Sequence, residues 1–304
     1  YLLYLLYLLY LLYLLYLLSG GELPMPPPMP PPMPPPMPAP PSRPPATGSA
    51  EAPTVLILGG TGEGQALASH LSRNPGCQVI SSLAGRVANP RLPPGRVRIG
   101  GFGGAEGLAT YLRENAIAAV VDATHPFATR MGHNAARACA DAGVPLLRLE
   151  RPVWRPEAGD LWFPVADAGQ AADWVRQQAR RVFLALGRQE LPAFAGMDAV
   201  WFLIRAVDPP SPMPAFAQAE WLLARGPFTL DGERELLRRH AIDTLVCKNS
   251  GGTATDAKLT AAREAGVRVV MLARPPRPAG VLAVTSASEA LAWIAARVSY
   301  PAGD

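Results

Sequence analysis

The apolar run Thr54 to Leu58, TVLIL, passes directly into Gly59-Gly60-Thr61-Gly62-Glu63-Gly64. A short, wholly apolar run suits a strand buried on both faces, and such strands belong to parallel sheets covered by helices. A glycine-rich turn straight after it lets the chain reverse tightly into a helix, whose pattern is visible from Ala66 to Leu71. The alternation continues with a strand over Gln78 to Leu83, a helix over Leu108 to Asn115 and a strand over Ala118 to Val121. A helix over Thr129 to Ala142 and a strand over Val144 to Leu149 follow. After Arg151 the pattern restarts, with strands over Val182 to Leu186, Ala199 to Ile204, Thr244 to Cys247 and Val267 to Leu272. Helices are expected over Ala168 to Arg180, Leu230 to His240, Asp256 to Ala265 and Ala287 to Arg297. Such alternation predicts an α/β chain with parallel sheets, in one lobe over 54–150 and a second over 151–304.

Ahead of these lobes lies a tract of another kind, 1–53. The first 50 residues hold 15 of the 35 prolines, six of the eight tyrosines and two charges, Glu22 and Arg43. Tyr1 to Leu18 is YLL repeated six times, long enough to raise a membrane span. A period of three matches neither helix nor strand, so no apolar face forms. A positively charged start and a small-residue cleavage site are both missing, which argues against a secretory signal. The MPPP repeat at Met25, Met29, Met33 and Met37 is polyproline II at best. The tract is read as translated repetitive DNA or an early start, with a membrane anchor and stalk as the alternative. The remaining 254 residues carry 27 basic and 23 acidic side chains, too even a balance for nucleic-acid binding. Cys77, Cys139 and Cys247, without a CxxC pair, are expected to be reduced, mostly buried thiols of a cytoplasmic protein.

Ligands of parallel sheets bind at the carboxyl ends of the strands, so the residues just after each strand carry the chemistry. The turn Gly59, Gly60, Thr61, Gly62, Glu63, Gly64 suits a dinucleotide pyrophosphate held at a helix amino terminus, although a merely tight turn would look similar. It is no phosphate-binding P-loop, because Gln65 and Ala66 stand where Lys and Ser or Thr are required. A short-chain dehydrogenase is excluded too: Tyr111 and Tyr300 lack a Lys four residues on. The second strand ends in Ser81-Ser82-Leu83-Ala84-Gly85-Arg86, where an NAD site would carry an acid. Arg86 would instead pair with a 2′-phosphate, which favours NADPH, unless it is only a solvated loop arginine.

The next strand ends in Asp122-Ala123-Thr124-His125-Pro126-Phe127. Asp122 and His125 are candidates for ligand binding or proton transfer; the competing reading is a helix cap and a packed loop histidine. His70, His133 and His240 lie in helical patterns without ligand spacing, so no metal site is expected. In the second lobe Gly187-Arg188-Gln189-Glu190 follows one strand, and Lys248-Asn249-Ser250-Gly251-Gly252 follows another. Thr253, Thr255, Asp256 and Lys258 then lead into a helix, giving a second anion-suited loop. Lys248 and Lys258 are the only lysines among 28 basic residues.

Taken in order, GGTGEG at Gly59, SLAGR ending at Arg86, DATHPFA at Asp122, LALGRQEL at Leu184, and CKNSGG with TDAKL from Cys247 resemble the precorrin-6A reductase family. The resemblance runs from about Thr54 to Val298. It implies two Rossmann-like lobes with an active site between them, preceded here by a tract with no counterpart in the family. It also implies NADPH-dependent reduction of a double bond in the macrocycle precorrin-6A to give precorrin-6B, in cobalamin biosynthesis. An anaerobic branch uses the cobalt-containing substrate. Cofactor contacts are then expected from the glycine turn, Ser82, Arg86 and Thr124. The carboxylates of a tetrapyrrole would meet Arg188, Lys248, Asn249, Ser250, Gly251, Gly252 and Lys258. A non-catalytic nucleotide-binding sensor is the alternative. A monomer without nucleic-acid or membrane partners is expected.

Overall fold

The computed structural model describes residues 52–74, 76–85 and 90–298. The amino-terminal repeat tract and Arg86 lie outside them. The first sheet contains β1 (Thr54–Leu58), β2 (Gln78–Leu83), β3 (Arg96–Ile99), β4 (Ile117–Asp122) and β5 (Leu146–Leu149). Its helices are α1 (Gly62–Leu71), α2 (Ala105–Glu114) and α3 (Thr129–Ala142). The second contains β6 (Trp162–Val165), β7 (Arg181–Ala185), β8 (Trp201–Ala206), β9 (Ala219–Leu223), β10 (Thr244–Lys248) and β11 (Arg268–Leu272). Around it lie α4 (Ala168–Gln178), a 3-10 turn (Leu191–Phe194), α5 (Leu230–Arg239) and α6 (Ala257–Glu264). The chain ends in β12 (Leu282–Val284) and α7 (Ala287–Ala295).

Both sheets have six strands, all parallel, in the orders β12-β5-β4-β1-β2-β3 and β6-β11-β10-β7-β8-β9. Read from β3 and from β9, the first five positions of each repeat the order of doubly wound dinucleotide folds. The sixth positions are exchanged. β6 follows β5 in sequence but pairs with β11, whereas β12 follows β11 but pairs with β5. The expected division at Glu150 therefore needs a correction. Leu282–Val284 complete the first sheet, and α7 packs on α1. Two straps, 150–161 and 273–281, carry the chain out of the first lobe and back.

The central strands are apolar because helices cover both faces. Val55 and Ile57 of β1 face Leu67 and Leu71 of α1 and Trp293 and Ile294 of α7, while Leu56 and Leu58 face α2 and α3. In the second lobe Leu184 and Ile204 lie under α4 and the 3-10 turn, with Phe183 and Leu203 under α5 and α6. Side chains set the helix starts: Gly64 N–H donates to Thr61, Gln170 N–H to Asp167 and Gly232 N–H to Thr229, while Ser286 and Glu289 form a capping box. All three cysteines are free and buried, as the composition suggested.

Candidate active site

The glycine turn lies where the sequence placed it, between β1 and α1, but the helix begins at Gly62, inside the turn. Gly59, Gly60 and Gly62 form its outer part. Gly64 allows a close approach, since a Cβ there would stand 3.1 Å from the Ala123 methyl at the end of β4. Thr61 Oγ1 donates to Ala123 O at 2.8 Å, fastening the turn to that strand end. Gly59 N–H donates to Ser82 O at 2.9 Å, so Ser82 closes β2 directly beside the turn. Glu63, in the first turn of α1, pairs with Arg151 of the first strap at 3.0 Å.

Beyond β4 the polar groups form a chain of alternating charge. Asp122 Oδ2 lies 2.7 Å from Arg148 Nη1, Arg148 Nε lies 3.4 Å from Glu150 Oε2, and Glu150 Oε1 lies 2.8 Å from Arg274 Nη1. The first three members are buried. Thr124 joins in: its hydroxyl donates to Asp122 Oδ1 at 2.7 Å and accepts from Arg148 at 3.0 Å. Asp122 and Thr124 are thus engaged in holding the strand ends, with their polar atoms turned to Arg148. Asp122, expected as a candidate for ligand binding or proton transfer, is 2% exposed and ion-paired with Arg148.

His125 lies among cations. Burial, reinforced by Arg151, Lys248, Arg274 and Arg148, pulls its pKa down to about 3. Its Nδ1 accepts from Phe127 N–H at 3.2 Å, which leaves the ring proton on Nε2. At neutral pH burial and the surrounding cations thus favour the neutral imidazole, which offers Nε2–H as a donor. Phe127 crosses to the second lobe and packs against its core. Lys248 Nζ stands 5.1 Å from the Phe127 ring centroid and 2.7 Å from Glu190 Oε1. Arg188 is exposed on the loop after β7.

The loop after β10, expected to meet substrate carboxylates, makes hydrogen bonds to both straps. Asn249 Nδ2 donates to Trp154 O at 3.0 Å, and Trp154 N–H donates back to Asn249 Oδ1 at 2.8 Å. Ser250 O accepts from Arg151 Nε at 2.8 Å and from Arg274 Nη2 at 3.0 Å, while Gly252 O accepts from Trp154 Nε1 at 2.9 Å. These groups dock the two straps. Lys258 is 5% exposed, donates to Thr255 O and lies 4.5 Å from the Trp154 ring centroid. Its burial lowers its pKa and takes its ammonium away from a solvent-borne carboxylate. Arg148, Glu150, Arg151, Trp154 and Arg274 were not singled out from the sequence as site residues; their only local signal is that they lie on β5 or soon after β5 and β11.

Fold and site define a two-lobed, doubly wound α/β protein whose polar groups gather where the carboxyl edges of the two sheets meet. A sequence model of the family described as "Precorrin-6x reductase CbiJ/CobK" matches residues 54–295. A precorrin-6A reductase of Rhodococcus erythropolis is 52% identical over 241 residues, 79% of this chain and 96% of that one. Another, of Sinorhizobium sp, is 47% identical over 249 residues, 82% of this chain and 95% of that one. The solved structure "CobK precorrin-6A reductase" superposes with a TM-score of 0.77 at 41% identity, covering 83% of this chain and 100% of that chain. The chain belongs to the precorrin-6x reductase family, and so stands among the oxidoreductases.

Proposed function

We propose that the protein reduces a ring double bond of precorrin-6A with NADPH, giving precorrin-6B, in the cytoplasmic synthesis of cobalamin and as a monomer. The observation that carries the reading is the gathering of Arg148, Arg151, Arg274 and Lys248 around His125 at the meeting of the two lobes. Cations there suit a macrocycle bearing many carboxylates and a cofactor bearing phosphates, each of which would take the place of a carboxylate partner such as Glu63 or Glu190. The residues fit a dinucleotide: a helix amino terminus behind a close-packed glycine turn, and a β2 end with no acid. Bound NADPH would supply the hydride.

The chain's own groups do the rest. The turn Gly59–Gly64 and Arg151 receive the pyrophosphate, Arg151 being shared with Glu63. Ser82 borders the adenosine ribose. Lys248, backed by Glu190, and the exposed Arg188 receive substrate carboxylates. His125 orients substrate or cofactor through its Nε2–H. Among the described residues no helix is long and apolar enough to cross a membrane. The test is direct: the protein with precorrin-6A and NADPH should oxidise the cofactor only when substrate is present. A folded protein that binds nucleotide without substrate-dependent oxidation would be a nucleotide sensor instead, and the reading would fall.

A further inference from the structure

The end of β2 lies between two glycine loops. Ser82 O accepts from Gly59 N–H of the first, and Leu83 O accepts from Gly100 N–H of the second, each at 2.9 Å. That second loop, Gly100-Gly101-Phe102-Gly103-Gly104, links β3 to α2 and belongs to no part of the reading so far. A Cβ placed on Gly100, Gly101, Gly103 or Gly104 would meet nothing within 4 Å, so the backbone is open to approach. α2 starts there with no side-chain cap.

Arg98, on β3, is in register with Ser82. Its Nη1 donates to Gly100 O at 2.6 Å and to Ser82 Oγ at 3.4 Å, and its Nη2 donates to Gly101 O at 2.6 Å. The guanidinium also lies 3.8 Å from the Phe102 ring centroid. It is thus fixed at the carboxyl edge of the sheet by neutral acceptors. The cleft arginines are matched to carboxylates, Arg148 to Asp122, Arg151 to Glu63 and Arg274 to Glu150. Arg98 has no carboxylate partner among the described residues, and its charge is left for something else. β3 stands two strand spacings, about 9–10 Å, from β1, on the side of the fold where the ribose of a dinucleotide lies.

We propose that Arg98, held by Ser82 and the Gly100–Gly104 loop, reads the 2′-phosphate of the nucleotide and so sets the preference for a phosphorylated cofactor. This rests on the cofactor reading above and assigns the discrimination to a residue on β3. A guanidinium presented in a fixed plane is matched to a phosphate dianion, and an adenosine with a bare 2′-hydroxyl gains nothing from it.

The experiment uses the full chain and two nucleotide fragments, 2′,5′-ADP and 5′-AMP, whose dissociation constants are measured by titration calorimetry. The wild type should bind 2′,5′-ADP about tenfold or more tightly than 5′-AMP, as expected for one charge-assisted contact. In Arg98→Gln that ratio should fall to near unity through loss of 2′,5′-ADP binding alone. Arg98→Lys, which keeps the charge, should retain part of it even if the loop is loosened. An arginine that only braces the loop would weaken both fragments equally and leave the ratio intact, and that result overturns the proposal. So does a ratio that collapses in Arg86→Gln but survives in Arg98→Gln. A wild type that binds NADPH and NADH with equal strength overturns the specificity role and leaves the dinucleotide site standing. One that binds neither defeats the cofactor reading, and this proposal with it.

Discussion

His125 shows how the cleft sets the behaviour of a single residue. An unburied imidazole takes up its proton near pH 6.5, whereas the folded protein withholds it until about pH 3. Between those values the unfolded chain binds more protons, so stability falls as the pH is lowered through that window. The contribution is fully present above about pH 6.5 and is lost by at most about 1.4 kcal/mol per pH unit. His125→Asn stays neutral throughout and should show a shallower fall in urea midpoint between about pH 7 and about pH 4. Parallel curves for the two proteins would mean that His125 is not held neutral. The acidic limb of the fold's stability thereby reports on the burial of the ring, reinforced by the four cations around it, which no inspection of DATHPFA alone would reveal. The motif marks the strand end correctly, but the burial that chiefly lowers the His125 pKa, and the cations that reinforce it from 23 to 149 residues away in sequence, arise only in the fold.

Among the elements, the loop after β10 is the clearest case of a motif with a second employment. Gly251 has φ +70°, and a Cβ there would overlap the Pro152 carbonyl oxygen and stand 2.9 Å from Arg274 Nη2. Gly196 has a similar φ of +72° with open space around it. Gly196→Ala should therefore show the left-handed strain alone, about 1–2 kcal/mol. Gly251→Ala should lose distinctly more, because the first strap must also move, and thermal unfolding of the two variants compares them. Equal losses would remove the strap-docking account of this loop. The strands divide in the same way between what was readable and what was not. β1, β4, β7, β10 and β11 are sheet-central or next to it, and their near-continuous apolar runs announce them. β3, β9 and the exchanged β6 and β12 are short, partly exposed edge strands; β3 reads RVRI, β6 carries Pro164 and β9 carries Glu220, so no buried-strand pattern appears. The glycine turn was legible because its function needs only local backbone. The chain Asp122–Arg148–Glu150–Arg274 was not, because its meaning arises when one strap is laid against the other.

For the whole molecule, the exchange of sixth strands makes each lobe depend on a segment reached by way of the other. Trp293, Ile294 and Val298 cover the face of the first sheet formed by Val55, Ile57, Leu147 and Leu149. Burial of three such side chains is worth about 1.5–3 kcal/mol each, a large share of the roughly 5–15 kcal/mol that holds a domain folded. A chain ending at Val281 should lose amide-exchange protection in β1, β4 and β5 and no longer unfold in one cooperative step. Native-like protection of those strands would show that β12 and α7 are dispensable.

The same connectivity sets a timetable for synthesis. A ribosome releases β1 to β5 before any of the second lobe, but the strand that belongs beside β5 emerges only after β11. While the entire second lobe is being made, β5 presents a bare row of peptide groups that any passing strand could occupy. A nascent chain of this protein is thus open to mispairing at β5 until β12 arrives to close the first lobe.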